Sequence, residues 1–182
     1  MSLNCSKIQV MKKMLFILFF GIIYTSNLMA QQITPKSAFL EKWENSKNYL
    51  IEIAETMPEE NYNFKPTERE MSFSEQLLHI KQNMDWLSTS YFTEKEYKKE
   101  EKPTQISKAK IISELKKSFD TVLEIVKNTP DENLQETVEF FAGTKSKLQI
   151  LNLLQDHVTH HRGQLIVYLN LKKIKPPKYI GW

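Results

Sequence analysis

The sequence predicts an all-α protein, an up-and-down four-helix bundle, over residues 31–182. Four segments of about 20 residues carry apolar side chains at spacings of three and four, which is the period of an amphipathic helix. Polar or proline-containing stretches separate these segments, and no segment alternates polar and apolar residues for long enough to build a sheet. Because each helix has one apolar face to bury, packing the four against one another is the simplest fold.

The first two helices have recognisable starts. Thr34-Pro35 offers an N-cap followed by proline at the first helical position, and Pro58 ends the apolar pattern that follows. After a polar loop, Ser72 or Ser74 is expected to cap the second helix. The apolar stripe of that helix consists of Phe73, Leu77, Ile80, Met84, Leu87 and Tyr91. These positions follow one another at steps of three and four, so one face of the helix is predicted to be buried.

The last two helices are bounded in the same way. The third is predicted to begin at Ser107 and to end at Thr129-Pro130, because a residue before proline is disfavoured in a helix. Residues 137–141 are β-branched and aromatic, which indicates a short extended piece before Gly143. The fourth helix is expected from about Ser146 to Lys172.

Residues 1–30 have the composition of a secretory signal peptide. Lys12-Lys13 precedes the apolar run Met14–Tyr24, and Ala30 is the expected cleavage point. The run is shorter than the about 20 apolar residues that span a membrane, so no stable span is expected after cleavage. A retained N-terminal anchor helix is the alternative, and Met11 is a plausible true start. The sequence therefore predicts an exported protein, periplasmic or secreted.

Composition narrows the partners. Three of the 25 basic residues and no acidic residue lie in residues 1–30, which leaves 22 basic and 22 acidic residues in the mature domain. A neutral domain has no electrostatic reason to bind nucleic acid, so none is expected. The single cysteine, Cys5, precedes the apolar run and excludes an intramolecular disulfide framework.

Four histidines hold most of the chemistry that the sequence offers. At about 100° per residue, His161 lies about 40° from His157 on the fourth helix, and both fall within its apolar stripe. Two imidazoles one turn apart can share one metal ion. Each histidine could instead form an ordinary hydrogen bond in the core, and the spacing alone does not decide between these interpretations.

Other side chains near this face have weaker indications. His79 lies roughly 100° from the centre of the second helix's stripe, which fits either a half-exposed surface residue or a third ligand. Gln164 shares the face of His157, and His160 lies at its flank. Trp86 and Tyr168 are expected either to line a pocket or to pack in the core. The pattern identifies no catalytic residue.

Three segments together resemble the DinB-like (YfiT-like) superfamily. Residues 156–165, which read Asp-His-Val-Thr-His-His-Arg-Gly-Gln-Leu, resemble its C-terminal signature. Residues 72–80, Ser-Phe-Ser-Glu-Gln-Leu-Leu-His-Ile, resemble its second-helix motif, and residues 50–66 are also similar. The resemblance covers essentially the whole mature chain in order. It implies a four-helix bundle with an unusual connection order.

The resemblance also implies a divalent metal held by three histidines. On this chain they are His79, His157 and His161, while His160 matches a neighbour that is not a usual ligand. Three imidazoles leave at least one coordination position open, as in catalytic sites. Nitrogen ligands favour zinc or nickel, with manganese or iron as alternatives.

Activity is implied only broadly by the resemblance. Similar proteins are described as metal-dependent hydrolases or as thiol-dependent transferases and isomerases, which here implies an unknown small-molecule substrate. Export conflicts with a transferase role, because low-molecular-weight thiol cofactors are chiefly cytoplasmic. A non-catalytic metal-binding bundle and a helical interaction module are the alternatives. The resemblance is also compatible with a homodimer, although the sequence shows no clear interface stripe.

Overall fold

The computed structural model describes residues 33–99 and 106–181. Its four α-helices are α1 (Pro35–Thr56), α2 (Phe73–Phe92), α3 (Lys108–Asn128) and α4 (Lys147–Leu171). Short 3-10 helices follow α1 and α3, at Glu59–Asn61 and Asp131–Gln135. A two-stranded antiparallel ribbon, β1 (Thr137–Val138) and β2 (Lys145–Ser146), precedes α4. The predicted all-α four-helix bundle is therefore confirmed, and the expected extended piece at residues 137–141 contributes only the two residues of β1.

Helices α1 and α3 pack in opposite directions. Lys36 at the start of α1 donates to the carbonyl of Thr129 at the end of α3, with a distance of 2.6 Å. At the other end, Lys108 at the start of α3 donates to the carbonyl of Glu55 near the end of α1, with a distance of 2.6 Å. These contacts place the start of each helix beside the end of the other.

Helices α2 and α3 are neighbours that run in the same direction. Their capping residues Ser72 and Ser107 line one cavity, and further along Lys81 of α2 pairs with Glu114 of α3 at 3.7 Å. The two helices are consecutive in the chain and run in parallel, so the end of α2 and the start of α3 lie at opposite ends of the bundle. This parallel pair is the source of the unusual connection order.

Helices α2 and α4 are antiparallel, and their contact carries the candidate site. Gln76 in the first turn of α2 reaches Tyr168 near the end of α4, at 3.4 Å. One turn later, His79 meets His157 at 3.0 Å between their Nε2 atoms. Because the two helices run in opposite directions, residues further along α2 lie opposite residues earlier in α4.

The core contains packed aromatic rings at both ends of the bundle. Trp43 of α1 packs on Phe119 of α3 with ring centroids 4.8 Å apart, and its indole N–H donates to the Phe119 carbonyl at 3.1 Å. That hydrogen bond satisfies the one polar group of a fully buried tryptophan.

No described helix is long and apolar enough to cross a membrane. The predicted signal segment, residues 1–30, lies outside the described residues.

Serine caps define where the helices of the site begin. The Ser72 hydroxyl accepts from the Glu75 backbone N–H at 3.2 Å, and the Glu75 carboxylate accepts from the Ser72 N–H at 2.7 Å. This capping box satisfies two backbone donors that the first turn leaves without helical partners. The structure thus selects Ser72 over Ser74 as the cap. Ser146 and Gln149 form the equivalent box at the start of α4.

We predict that Ser72→Ala lowers the free energy of unfolding by about 1 kcal/mol, because it removes the side chain that caps α2. Urea unfolding followed by circular dichroism would measure the change. Ser90→Ala is the matched control, since Ser90 is exposed in the last turns of the same helix. Equal stabilities of the two variants would contradict this role of the cap.

Candidate metal centre

The structure brings three histidines from two helices to one point. His79 of α2 and His157 and His161 of α4 each offer a ring nitrogen, and these nitrogens lie within 4.8 Å of one another. The ring centroids are 4.8 Å apart for His79–His157, 4.6 Å for His79–His161 and 4.4 Å for His157–His161. His161 is buried, while the other two are half-buried. The cluster therefore sits at the edge of the core, with one side towards solvent.

A chain of hydrogen bonds behind His161 determines which of its nitrogens is free. The Tyr168 hydroxyl donates to the Met71 carbonyl at 2.8 Å, so its oxygen accepts from the Gln76 amide N–H at 3.4 Å. The Gln76 carbonyl oxygen then faces His161 Nδ1 at 2.6 Å and can only accept. His161 Nδ1 therefore carries the proton, and Nε2 keeps its lone pair for a ligand.

The solvent side of His161 is also hydrogen-bonded. The Gln164 carbonyl oxygen accepts from the same His161 Nδ1 at 3.0 Å. The Gln164 amide faces the Nε2 atom of exposed His160 at 3.2 Å, and donates to it. Gln164 thus supports the orientation that Gln76 imposes, whereas His160 contacts the cluster from outside.

The imidazoles of His157 and His161 are neutral bases at physiological pH. Burial, together with the neighbouring His161, His79 and His160, lowers the pKa of His157 from 6.5 to about 3. Burial likewise lowers the pKa of His161 to about 4, with His79 adding to the shift and the Gln164 hydrogen bond opposing it. A metal ion binds the neutral imidazole, so the fold holds these ligands in the required protonation state.

The geometry fits a transition-metal ion. Nitrogens bound to one tetrahedral zinc at about 2.0–2.1 Å lie about 3.4 Å apart. His79 Nε2 and His157 Nε2 are 3.0 Å apart, and the whole set spans at most 4.8 Å. Side-chain rotations that move each ring nitrogen by about 1 Å therefore suffice to bring the three nitrogens around one cation. The hydrogen bond from His161 to Gln76 is the outer support that metal-ligating histidines usually have.

Two buried polar atoms near the site have no hydrogen-bond partner. They are His157 Nδ1 and Asn83 Oδ1. If His157 binds a cation through Nε2, its Nδ1 carries a proton and needs an acceptor. Asn83 lies one turn beyond His79 on α2, opposite the part of α4 that holds His157, and its Oδ1 is an acceptor. The two atoms are therefore chemically complementary.

A cavity of about 780 Å³ adjoins His79. Its walls come from the segment after α1, the first half of α2 and the start of α3, and they include the ion pair Lys65–Glu75 at 3.1 Å. Gln82 lies next to His79 on the same wall. The volume is within the range of small-molecule sites, and the lining offers polar and apolar surface in about equal parts.

The remaining side chains of interest occupy different environments. Tyr168 is 3% exposed and holds Gln76 in place, so it does not line a pocket. Trp86 is half-buried and packs with the aromatic residues before α4. Gln76 was missed by sequence reasoning, although it lies three residues before His79 and hence on a neighbouring part of the same helix face. That spacing from a candidate ligand was the available signal.

We predict that the metal-free protein loses stability as the pH falls below about 6.5. In the unfolded chain the histidines bind protons near 6.5, whereas His157 and His161 of the folded chain stay neutral until about 3 and about 4. The unfolded state thus binds more protons across this window. Urea unfolding at several pH values, with a chelator present, would measure the slope. His157→Asn should make it shallower, and equal slopes would contradict this explanation.

Two solved structures share this fold. A DinB-like protein of Bacillus cereus superposes with a TM-score of 0.69 at 18% identity, covering 78% of this chain and 95% of that one. A DinB-like protein of Bacillus subtilis gives a TM-score of 0.64 at 19% identity, covering 78% and 96% respectively. At these identities the likeness establishes the fold alone. No curated protein is significantly similar in sequence.

The sequence itself supplies the family. The model of the DinB family matches residues 29–178, which include both helices of the histidine cluster and nearly the whole described domain. The resemblance inferred from the histidine motifs is therefore confirmed, and the chain belongs to the DinB family.

Proposed function

We propose that this chain is an exported, metal-dependent enzyme, a hydrolase or a thiol-type transferase, that acts on a small substrate. The observation that carries the proposal is the convergence of His79, His157 and His161, whose ring nitrogens lie within 4.8 Å of one another. A core that needed only packing would place apolar side chains here, because neutral imidazoles are costly to bury without partners.

The donor set favours zinc or nickel as the ion. Three imidazole nitrogens suit either metal, while manganese and iron are the alternatives. Three protein ligands leave room for a water or a substrate atom. When bound, such an ion lowers the pKa of a water or a thiol and polarises a carbonyl group. The three histidines would hold the ion. Gln76 fixes the protonation of His161, and Gln164 accepts a hydrogen bond from His161 on its solvent side.

The cavity beside His79 supplies the space for a substrate. Its volume of about 780 Å³ and its mixed polar and apolar lining suit a small molecule. Export rests on the sequence alone, namely the apolar run Met14–Tyr24 that follows Lys12-Lys13. A cysteine-free mature chain fits an oxidising compartment, and there a hydrolase is favoured over a transferase that needs a cytoplasmic thiol.

A non-catalytic metal-binding bundle is the second candidate. Among the described residues, the cluster contains histidines only and no carboxylate that would act as a general base. Asp156, the acidic residue nearest in sequence to His157, is exposed. Metal storage or a structural role needs no such base, whereas most hydrolases use one.

We predict that the purified domain binds about one equivalent of zinc or nickel, and that His157→Ala reduces the bound metal to a trace, because two imidazoles cannot replace three. Metal analysis by mass spectrometry after dialysis would measure it. His160→Ala is the matched control, since it removes an adjacent exposed histidine from outside the cluster. Equal metal contents in the wild type and His157→Ala would refute the site.

Turnover separates the two candidates. The zinc- and nickel-loaded proteins would be assayed on panels of esters, amides and thiol conjugates. Hydrolysis or transfer that disappears in His157→Ala and persists in His160→Ala supports the enzyme. A fully loaded protein that turns over no member of the panels favours the non-catalytic bundle.

We predict that Gln76→Leu weakens metal binding by about 10- to 100-fold, the usual effect of removing the outer hydrogen bond of a ligating histidine. Gln76→Glu keeps an acceptor for His161 Nδ1 and should retain most of the affinity. Competition with a chromogenic chelator would measure both constants. If both variants weaken binding equally, the hydrogen bond to His161 is not the cause.

A further inference from the structure

An exposed aromatic cluster lies beside the candidate metal centre. It consists of Trp86 and Tyr91 of α2 and of Phe140 and Phe141 from the hairpin between β1 and β2. Trp86 stacks on Phe140 and Phe141 with centroids 5.9 and 6.5 Å apart and interplanar angles of 23° and 22°. Phe141 is nevertheless 82% exposed. Phe141 thus presents most of its ring to solvent at the edge of three half-buried aromatic side chains, and a ligand that covered it would gain from burying apolar surface.

The hairpin holds these rings in place. β1 and β2 pair over two residues on each strand, and the turn is closed by the Gly143 N–H donating to the Phe140 carbonyl at 2.9 Å. Gly143 has φ = +88°, which other residues rarely adopt, so the glycine permits this tight turn. Tyr91 packs edge-on against Phe140 at 5.7 Å and fixes the tip against α2. The cluster is therefore a built feature of the fold.

Helix geometry places the cluster next to the ligands. Trp86 follows His79 by seven residues, so it lies within about 20° of the same face and about 10 Å further along α2. On α4, Leu153 lies one turn before His157 and is 37% exposed, which is high for a leucine of this bundle. Because the two helices are antiparallel, both residues lie on the same side of the histidines. Next to the histidines along both helices, Trp86 and Leu153 therefore present partly exposed apolar surface.

We infer that the cluster is the specificity subsite of the proposed enzyme, and that the substrate carries an aromatic group about 10 Å from the atom that meets the metal. This inference rests on the proposed function. The rings of Trp86, Phe140 and Phe141 are nearly parallel or modestly tilted, and a planar group stacks on such faces better than a flexible alkyl chain. The cavity that His79 lines leaves room for the rest of the substrate.

The test uses hydroxamic acids as metal-binding probes. Zinc-loaded protein would be titrated with acetohydroxamic acid and with analogues that carry a phenyl ring on chains of increasing length, following Trp fluorescence and calorimetry. We expect one phenyl analogue to bind at least about tenfold more tightly than acetohydroxamic acid, in line with one aromatic contact. Phe141→Ala should remove that advantage while leaving the affinity for acetohydroxamic acid and the zinc content unchanged.

The controls separate the ways in which this can fail. Tyr179→Ala, which removes another exposed aromatic side chain (72% exposed), should keep the phenyl preference. Protein that binds neither zinc nor nickel would refute the proposed function itself. Zinc-loaded protein that binds every hydroxamate equally would overturn the subsite alone. A wild-type dimer that Phe141→Ala converts to a monomer would also overturn it, by showing that a second copy of the chain covers the cluster.

Discussion

The hydrogen bond between Gln76 and His161 is the interaction on which the candidate site depends. A backbone carbonyl, that of Met71, cannot donate, so it fixes the direction of every bond from Tyr168 through Gln76 to the imidazole. The outcome is a buried histidine whose proton lies on the core side and whose lone pair lies towards its two partners. Without these hydrogen bonds, His161 is free to adopt either tautomer. In one of the two, Nε2 carries the proton and has no lone pair to offer the cluster.

The fold supports that bond through the ends of its helices. The capping box at Ser72 fixes where α2 begins, and Gln76 and His79 follow in its first two turns. The box at Ser146 does the same for α4, so the antiparallel register between the two helices is determined at both ends. The parallel packing of α2 on α3 separates the end of α2 from the start of α3 by the length of the bundle. It leaves α4 free to cover the other side of α2, where the histidines meet.

The sequence predicts the local features of this arrangement and misses those that arise between helices. Serine caps and apolar periodicity located all four helices, and a period of 3.6 residues placed His157 and His161 on one face. The angle of His79 was ambiguous, because whether a flank residue is buried depends on the neighbouring helix. The role of Gln76 was missed for the same reason, since its partners lie 85 and 92 positions away. Phe141 lies in a tight turn next to Gly143 and not in a helix, so the helical periodicity of the sequence does not predict its exposure.

The energetics of the cluster favour a ligand site over a packing role. Two imidazoles are held neutral against their ordinary pKa, and His157 Nδ1 and Asn83 Oδ1 are buried without partners. The two unpaired atoms destabilise the metal-free fold, since a buried donor or acceptor without a hydrogen bond costs about 1–3 kcal/mol. The lowered pKa values destabilise it as well, below a pH of about 6.5. Leucine or methionine at the same positions would remove that penalty and keep the bundle packed. In a helical interaction module nothing would offset this destabilisation, whereas an ion that binds only the folded chain offsets it directly.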